Sequence, residues 1–281
     1  MSASSSFIPS RHILLAAASL GFMLLGGGCA SQATLSPERI AAIVSSPDRA
    51  AADRTNDIRR KPAEMLAFIG VRPGMVALDV SAGRGYTTEL IARAVGPTGK
   101  VYGQTPPPRD PARAPPAQPE GAAVPPPPTP AAVTAPAPTL VERTRNPALS
   151  HIVPVVRPFN DPVPPEVANA GLDLATLMFN YHDMGHLGVD RARMNRAIFD
   201  ALKRGGVYLI ADHSGRAGTG ISESGTLHRV EEAFVKTEVE AAGFRLAATG
   251  NFMRNPADPR DRNTPEPPMP KDEFVLKFVK P

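Results

Sequence analysis

Short apolar runs and longer stretches of helical spacing take turns along most of this chain. Apolar runs at 75–80, 100–104, 149–157, 172–179, 207–212, 244–251 and 273–280 predict seven strands. In the last of them Phe274, Leu276 and Phe278 alternate with Val275, Lys277 and Val279. Helices are predicted at 37–44, 47–70, 87–95, 190–203 and 226–242. The fourth carries Met194, Ala197, Ile198 and Leu202 at helical spacing. Ser36 is a suitable N-cap with Pro37 at the first helical position, and Gly70, Gly205-Gly206 and Gly243 supply stops. Strands alternating with helices predict an α/β fold: a mostly parallel sheet with helices on both faces. The last two strands have no helix between them, which predicts an antiparallel pair at one edge.

The first strand leads into the most informative turn. Val76-Ala77-Leu78-Asp79-Val80 ends in Ser81-Ala82-Gly83-Arg84-Gly85-Tyr86, and a helix follows. Small residues let a ligand approach the backbone, and the N–H groups opening the helix face it. That pattern fits a nucleotide-type ligand. The same small residues also serve close packing of helix on strand, and both readings stand.

Composition changes the picture at two places. Arg11 and His12 precede an apolar run at 13–25, too short to span a bilayer at about 20 residues, and Gly26-Gly27-Gly28-Cys29 follows. This is the pattern of an export leader over residues 1–28, with a tether and first helix over 29–47 and the main domain over 48–281. Cys29 is the only cysteine, so no intrachain disulfide forms. Proline is the outlier: 14 of the 33 fall within 105–139, where Ala and Pro cannot build a core. That segment reads as an exposed insertion, with a protein partner for it as the alternative. Lys and Arg total 31 against 27 acids, a balance that argues against nucleic acid.

Candidate chemistry clusters at the predicted strand ends. Asn180-Tyr181-His182-Asp183-Met184-Gly185-His186 follows strand four, and Asp212-His213-Ser214 follows strand five. Three readings stay open. His182 is a general base oriented by Asp183 or Asp212; His182, Asp183, Asp212 and His213 hold a divalent metal, zinc or manganese by their chemistry; or these residues are helix caps and surface polar groups. His228 reads as an exposed helix position, with the same cleft as its alternative. Arg59-Arg60-Lys61 reads as a solvated face, with contact to an anionic substrate as its alternative.

These features together resemble the class I, Rossmann-like methyltransferases that use S-adenosylmethionine. Residues 76–86 are similar to the family's first motif. Residues 199–210, with Gly205-Gly206, are similar to its helix, turn and fifth strand. Residues 238–244 are similar to the approach to its sixth strand. The resemblance extends to a bacterial group of exported methyltransferase-like proteins. It implies a seven-stranded sheet with the last strand antiparallel and S-adenosyl-L-methionine as cofactor. It implies cofactor contacts from Asp79, Ser81, Ala82, Gly83, Gly85 and Tyr86, and from Gln104, Asn160 and Asp161 at the ends of strands two and three. The reaction implied is methyl transfer to a small-molecule acceptor. The alternative is a catalytically silent fold that binds a small molecule or a protein in the cell envelope. Two residues depart from the pattern. Ser81 replaces the motif's first glycine, which suits a backbone clear of positive φ. Gln104 stands where the family has an acid for the ribose hydroxyls, and an amide offers one neutral acceptor instead of two charged ones. Cys29 resembles the lipidated cysteine of bacterial lipoproteins, although Gly26 stands where that motif prefers Leu. This implies a membrane anchor and an envelope location, the outer membrane since neither Ala30 nor Ser31 is acidic. That location conflicts with a cofactor made in the cytoplasm.

Overall fold

The strands form where apolar runs are short and bounded by Gly, Pro or Asp, and they join side by side because neither face can be left in water. In the computed structural model, which describes residues 1–2, 33–108, 136–263 and 269–281, seven strands make one sheet. They are β1 (Val76–Val80), β2 (Lys100–Thr105), β3 (Ile152–Val156), β4 (Leu172–Met178), β5 (Leu202–His213), β6 (Arg245–Gly250) and β7 (Glu273–Val279), in the order β3-β2-β1-β4-β5-β7-β6. The first five run parallel. β7 is antiparallel to both β5 and β6. The expected antiparallel pair is therefore present, but β7 lies inside the sheet and β6 forms the edge. This sheet belongs to the unit Gln32–Pro281. The export leader, Cys29 and insertion residues 109–135 lie outside the described residues.

Successive side chains point to opposite faces, so each strand feeds two cores. Leu78, Val80, Tyr208, Ile210, Phe274 and Leu276 pack with Met194 and Ile198 of α7 (Arg191–Ala201) and Val235 and Val239 of α8 (Glu232–Ala241). Ala77, Val101, Leu209 and Val275 pack on the other face. Their partners include Ile40 of α1 (Pro37–Val44), Leu66 of α3 (Pro62–Ile69) and Ile91 of α4 (Tyr86–Val95). Among the described residues no helix is long and apolar enough to cross a membrane.

Three elements differ from the sequence pattern. The single helix expected at 47–70 is two, α2 (Ala51–Arg60) and α3, because Lys61 precedes Pro62 and leaves the helical region (φ 45°). The helix expected from 226 begins only at Glu232. Arg229 is drawn inward onto Asp258 (2.8 Å), and Val230 bridges to Ser214. β5 begins at Leu202, because the predicted Gly205-Gly206 stop is a bulge inside the strand: Leu172 faces Leu202 while Leu174 faces Val207.

Candidate functional site

The connections reverse direction between β1 and β4, which opens a crevice at their carboxyl ends. A cavity of about 240 Å³ lies there, walled by Arg60, Asp79, Ser81, Gly83, Tyr86 and Asn180, among others. Larger hollows of about 440 and 420 Å³ lie elsewhere, beside α1 and beside Met253 and Lys271.

Asp79 is buried at the floor. Its carboxylate accepts hydrogen bonds from Thr88 Oγ1 (2.6 Å) and Thr176 Oγ1 (2.8 Å). Burial raises its pKa to about 6, against the opposing effect of those bonds. Ser81 sits at φ 59°, so the expectation that it avoids positive φ is corrected. The left-handed conformation costs a non-glycine residue roughly 1–2 kcal/mol. The two glycines of the turn have different jobs. A Cβ on Gly83 (φ 55°) would meet only the Ser81 carbonyl, at 4.0 Å, beside the cavity. A Cβ on Gly85 (φ 86°) would lie 2.8 Å from Leu140 and 3.0 Å from Arg143. Both of those residues belong to α5 (Leu140–Arg143), the short helix on which the chain returns from the insertion. Arg143 is buried there. It pairs with Asp53 of α2 (2.7 Å) and with Glu89 of α4, and its Nε donates to the Arg84 carbonyl (2.7 Å).

At the end of β2 the outcome differs from the sequence reading. Gln104 is fully buried. Its Oε1 accepts from Ser81 N (2.8 Å) and its Nε2 donates to the Arg157 carbonyl (2.6 Å). The amide props up the turn and offers nothing to a ribose. Asn160 and Asp161 lie outside the cavity wall, and Asp161 is held by Arg157 (2.5 Å). Ala82 N bonds the Gln104 carbonyl (2.8 Å), and Tyr86 donates its hydroxyl to Asp57 (2.7 Å).

Arg60 corrects the solvated-face reading of the charged run. Its guanidinium lies 3.7 Å from the centroid of the Phe179 ring and lines the cavity. Burial, then the neighbouring Arg59, lowers its pKa to about 10, so it stays charged at neutral pH. It makes no hydrogen bond or ion pair with any described residue. The break at Pro62 ends α2 at Arg60, and Phe179, itself at φ 61°, presents the ring beneath it. Sequence alone gave no signal that one arginine of the run turns inward.

Across the crevice the two predicted clusters meet. His182 is buried at the start of α6 (Asp183–His186). Its Nδ1 lies 2.6 Å from Asp212 Oδ1, and its Nε2 lies 3.1 Å from Asp183 Oδ1. Asp212 also accepts from the backbone N–H of His182 and of His213, each at 2.7 Å. Burial by itself would lower the imidazole's pKa. The charge of Asp212 and the bonds to both carboxylates outweigh it and raise the value to about 9. With a carboxylate on each ring nitrogen, His182 has no free lone pair to serve as a general base in this conformation. His213 points elsewhere: its Nδ1 is 3.0 Å from Glu273 Oε1 but without hydrogen-bond alignment. Burial lowers its pKa to about 3 and raises that of Glu273 to about 7, so this contact holds a neutral imidazole. His228, expected on a helix, instead brings its Nδ1 to 3.3 Å from Asp183 Oδ1.

No family model matches this chain, and no curated protein matches it in sequence. Solved structures do. A SAM-dependent methyltransferase of Aquifex aeolicus matches at TM-score 0.53 and 15% identity, covering 88% of this chain and 100% of its own. The fold is that of the class I SAM-dependent methyltransferases. A complex of the Haloferax volcanii Trm112 methyltransferase activator with a methyltransferase partner gives TM-score 0.51 at 14% identity, again covering 88% of this chain and 100% of the matched one. At such identities the likeness is one of fold. The methyltransferase-like sheet explains why the crevice opens where it does.

Proposed function

We propose that the chain binds S-adenosyl-L-methionine in this crevice and transfers its methyl group to a small-molecule acceptor. The observation that carries the reading is the cavity at the β1/β4 reversal, where a guanidinium stacked on Phe179, with no hydrogen bond or ion pair among the described residues, shares the wall with a turn that has an open glycine. The cofactor's α-carboxylate suits Arg60, since a partly desolvated cation binds a carboxylate strongly. The main chain of Ser81, Ala82 and Gly83 suits close approach by the rest of the molecule. The bound cofactor would supply an activated sulfonium methyl, so the protein's task is chiefly to hold the acceptor in line with it. Gln104, Asn160 and Asp161 are left out of the contact set, and the ribose would rely on backbone groups. Export by residues 1–28 and lipidation at Cys29 belong to the same proposal. They are checked by the intact mass of the mature N-terminus.

Calorimetry on the full chain with S-adenosylmethionine and S-adenosylhomocysteine tests the reading. Binding of one equivalent is expected for both. Arg60→Ala should weaken it by about 1.5–3 kcal/mol, roughly 10- to 150-fold, as for a hydrogen bond to a charged group. No heat at millimolar ligand would remove the proposal.

A further inference from the structure

We propose that His182, Asp183 and His228 form a binding site for a divalent transition-metal cation. One ligand atom from each lies within 4.8 Å of the others. Two of the spacings are already tight: Asp183 Oδ1 is 3.1 Å from His182 Nε2 and 3.3 Å from His228 Nδ1. Two donors each at about 2.0–2.1 Å from a tetrahedral zinc ion sit about 3.3 Å apart. The three atoms thus need only small movements to share one ion.

The surroundings prepare these groups as ligands. Asp212 accepts from His182 Nδ1 (2.6 Å), which directs Nε2 toward the site. A carboxylate behind a histidine is the usual support of a metal-bound imidazole: it fixes the tautomer and strengthens the donor. Asn180 Nδ2 donates to Asp183 Oδ2 (2.7 Å), leaving Oδ1 to point at both imidazoles. The ligands also come from independent segments. His182 and Asp183 follow β4, while His228 arrives from the irregular stretch before α8. Mixed imidazole and carboxylate donors suit zinc or manganese over magnesium or calcium. Three protein ligands leave a coordination position open. Binding displaces the proton on His182 Nε2 to solvent. The ligand set differs from one built on Asp212 and His213, since Asp212 stands behind His182 and His213 faces Glu273. Asn180 also lines the cofactor cavity, so an acceptor bound to the ion would sit next to it. The metal site does not depend on the methyl-transfer reading.

The test is titration of the full chain, free of any histidine tag and stripped with chelator, with Zn(II) and Mn(II) by calorimetry. Co(II) absorption serves as a probe of nitrogen and oxygen coordination. One equivalent should bind more tightly than micromolar. His228→Gln, at a half-exposed position, should cost at least about tenfold, and Asp183→Asn the same. Asp212→Asn should cost about 10- to 100-fold as a supporting residue. His213→Gln should leave affinity unchanged. The proposal falls if neither ion binds stoichiometrically. It falls equally if His228→Gln, shown folded by its thermal melt, binds as the parent does, or if His213→Gln abolishes binding.

Discussion

Around the glycine-rich turn nearly every polar group is engaged within the chain. Asp79 holds two threonine hydroxyls, Gln104 ties Ser81 to Arg157, and Arg143 ties α5 to α2 and α4, whereas the Arg60 guanidinium has no polar partner among the described residues. Across the crevice, at the ends of β4 and β5, the polar groups converge on one carboxylate oxygen from both sides. The first region is a scaffold beside a cation that stacks on Phe179. The second is a set of donors and acceptors arranged around a small common point. The difference teaches that burial of a charged residue says little about its role. What decides is whether its partners already satisfy it.

The sharpest break in that comparison is Arg143→Ala. It leaves Asp53 buried without its cation, while Glu89 keeps Arg93 at 2.7 Å, and loss of one partner from a buried pair costs about 3–5 kcal/mol. Urea unfolding should read a loss of that size; a loss under about 1 kcal/mol would show that α5 does not hold the turn.

Asp79→Asn tests the floor by pH. The folded carboxyl has its pKa raised to about 6, from 3.8 when free. Between about pH 4 and 6 the folded chain keeps a proton that the unfolded chain has released, so stability falls as pH rises through that window. The asparagine variant lacks this loss. Its advantage over the parent should therefore grow by about 2–3 kcal/mol from pH 4 to pH 7. A difference that stays flat with pH would refute the raised value.

The two glycines separate packing from ligand access. Gly85→Ala forces a methyl onto Leu140 and Arg143 at a left-handed position and should cost about 2–3 kcal/mol of stability. Gly83→Ala meets only the backbone strain and should cost about 1 kcal/mol, while intruding on the cavity. Equal losses in paired denaturation curves would erase the distinction.

The smallest effect is expected at Ser81→Gly. Removing the Cβ at φ 59° relieves strain, offset by greater freedom of the unfolded chain, for a net gain of about 0.5–1 kcal/mol. A decrease in melting temperature would mean that the serine side chain holds the turn in some way its geometry does not reveal.

What the sequence determined by itself is local or periodic. The strands, α4, α7 and the small-residue turn follow from apolar spacing and from glycine and proline, because those signals act within a few residues. The sequence offered Asp183 and Asp212 as partners of His182, and the parallel pairing of β4 with β5 brings Asp212 to it. Tertiary structure alone decided the rest. Arg60 turns inward because α2 ends against Pro62 above Phe179; Gln104 faces Ser81 because a buried amide must satisfy both its ends; and His228 leaves its predicted helix because Arg229 is drawn to Asp258. Each of those outcomes depends on a partner far along the chain, and no spacing within a local window carries that information.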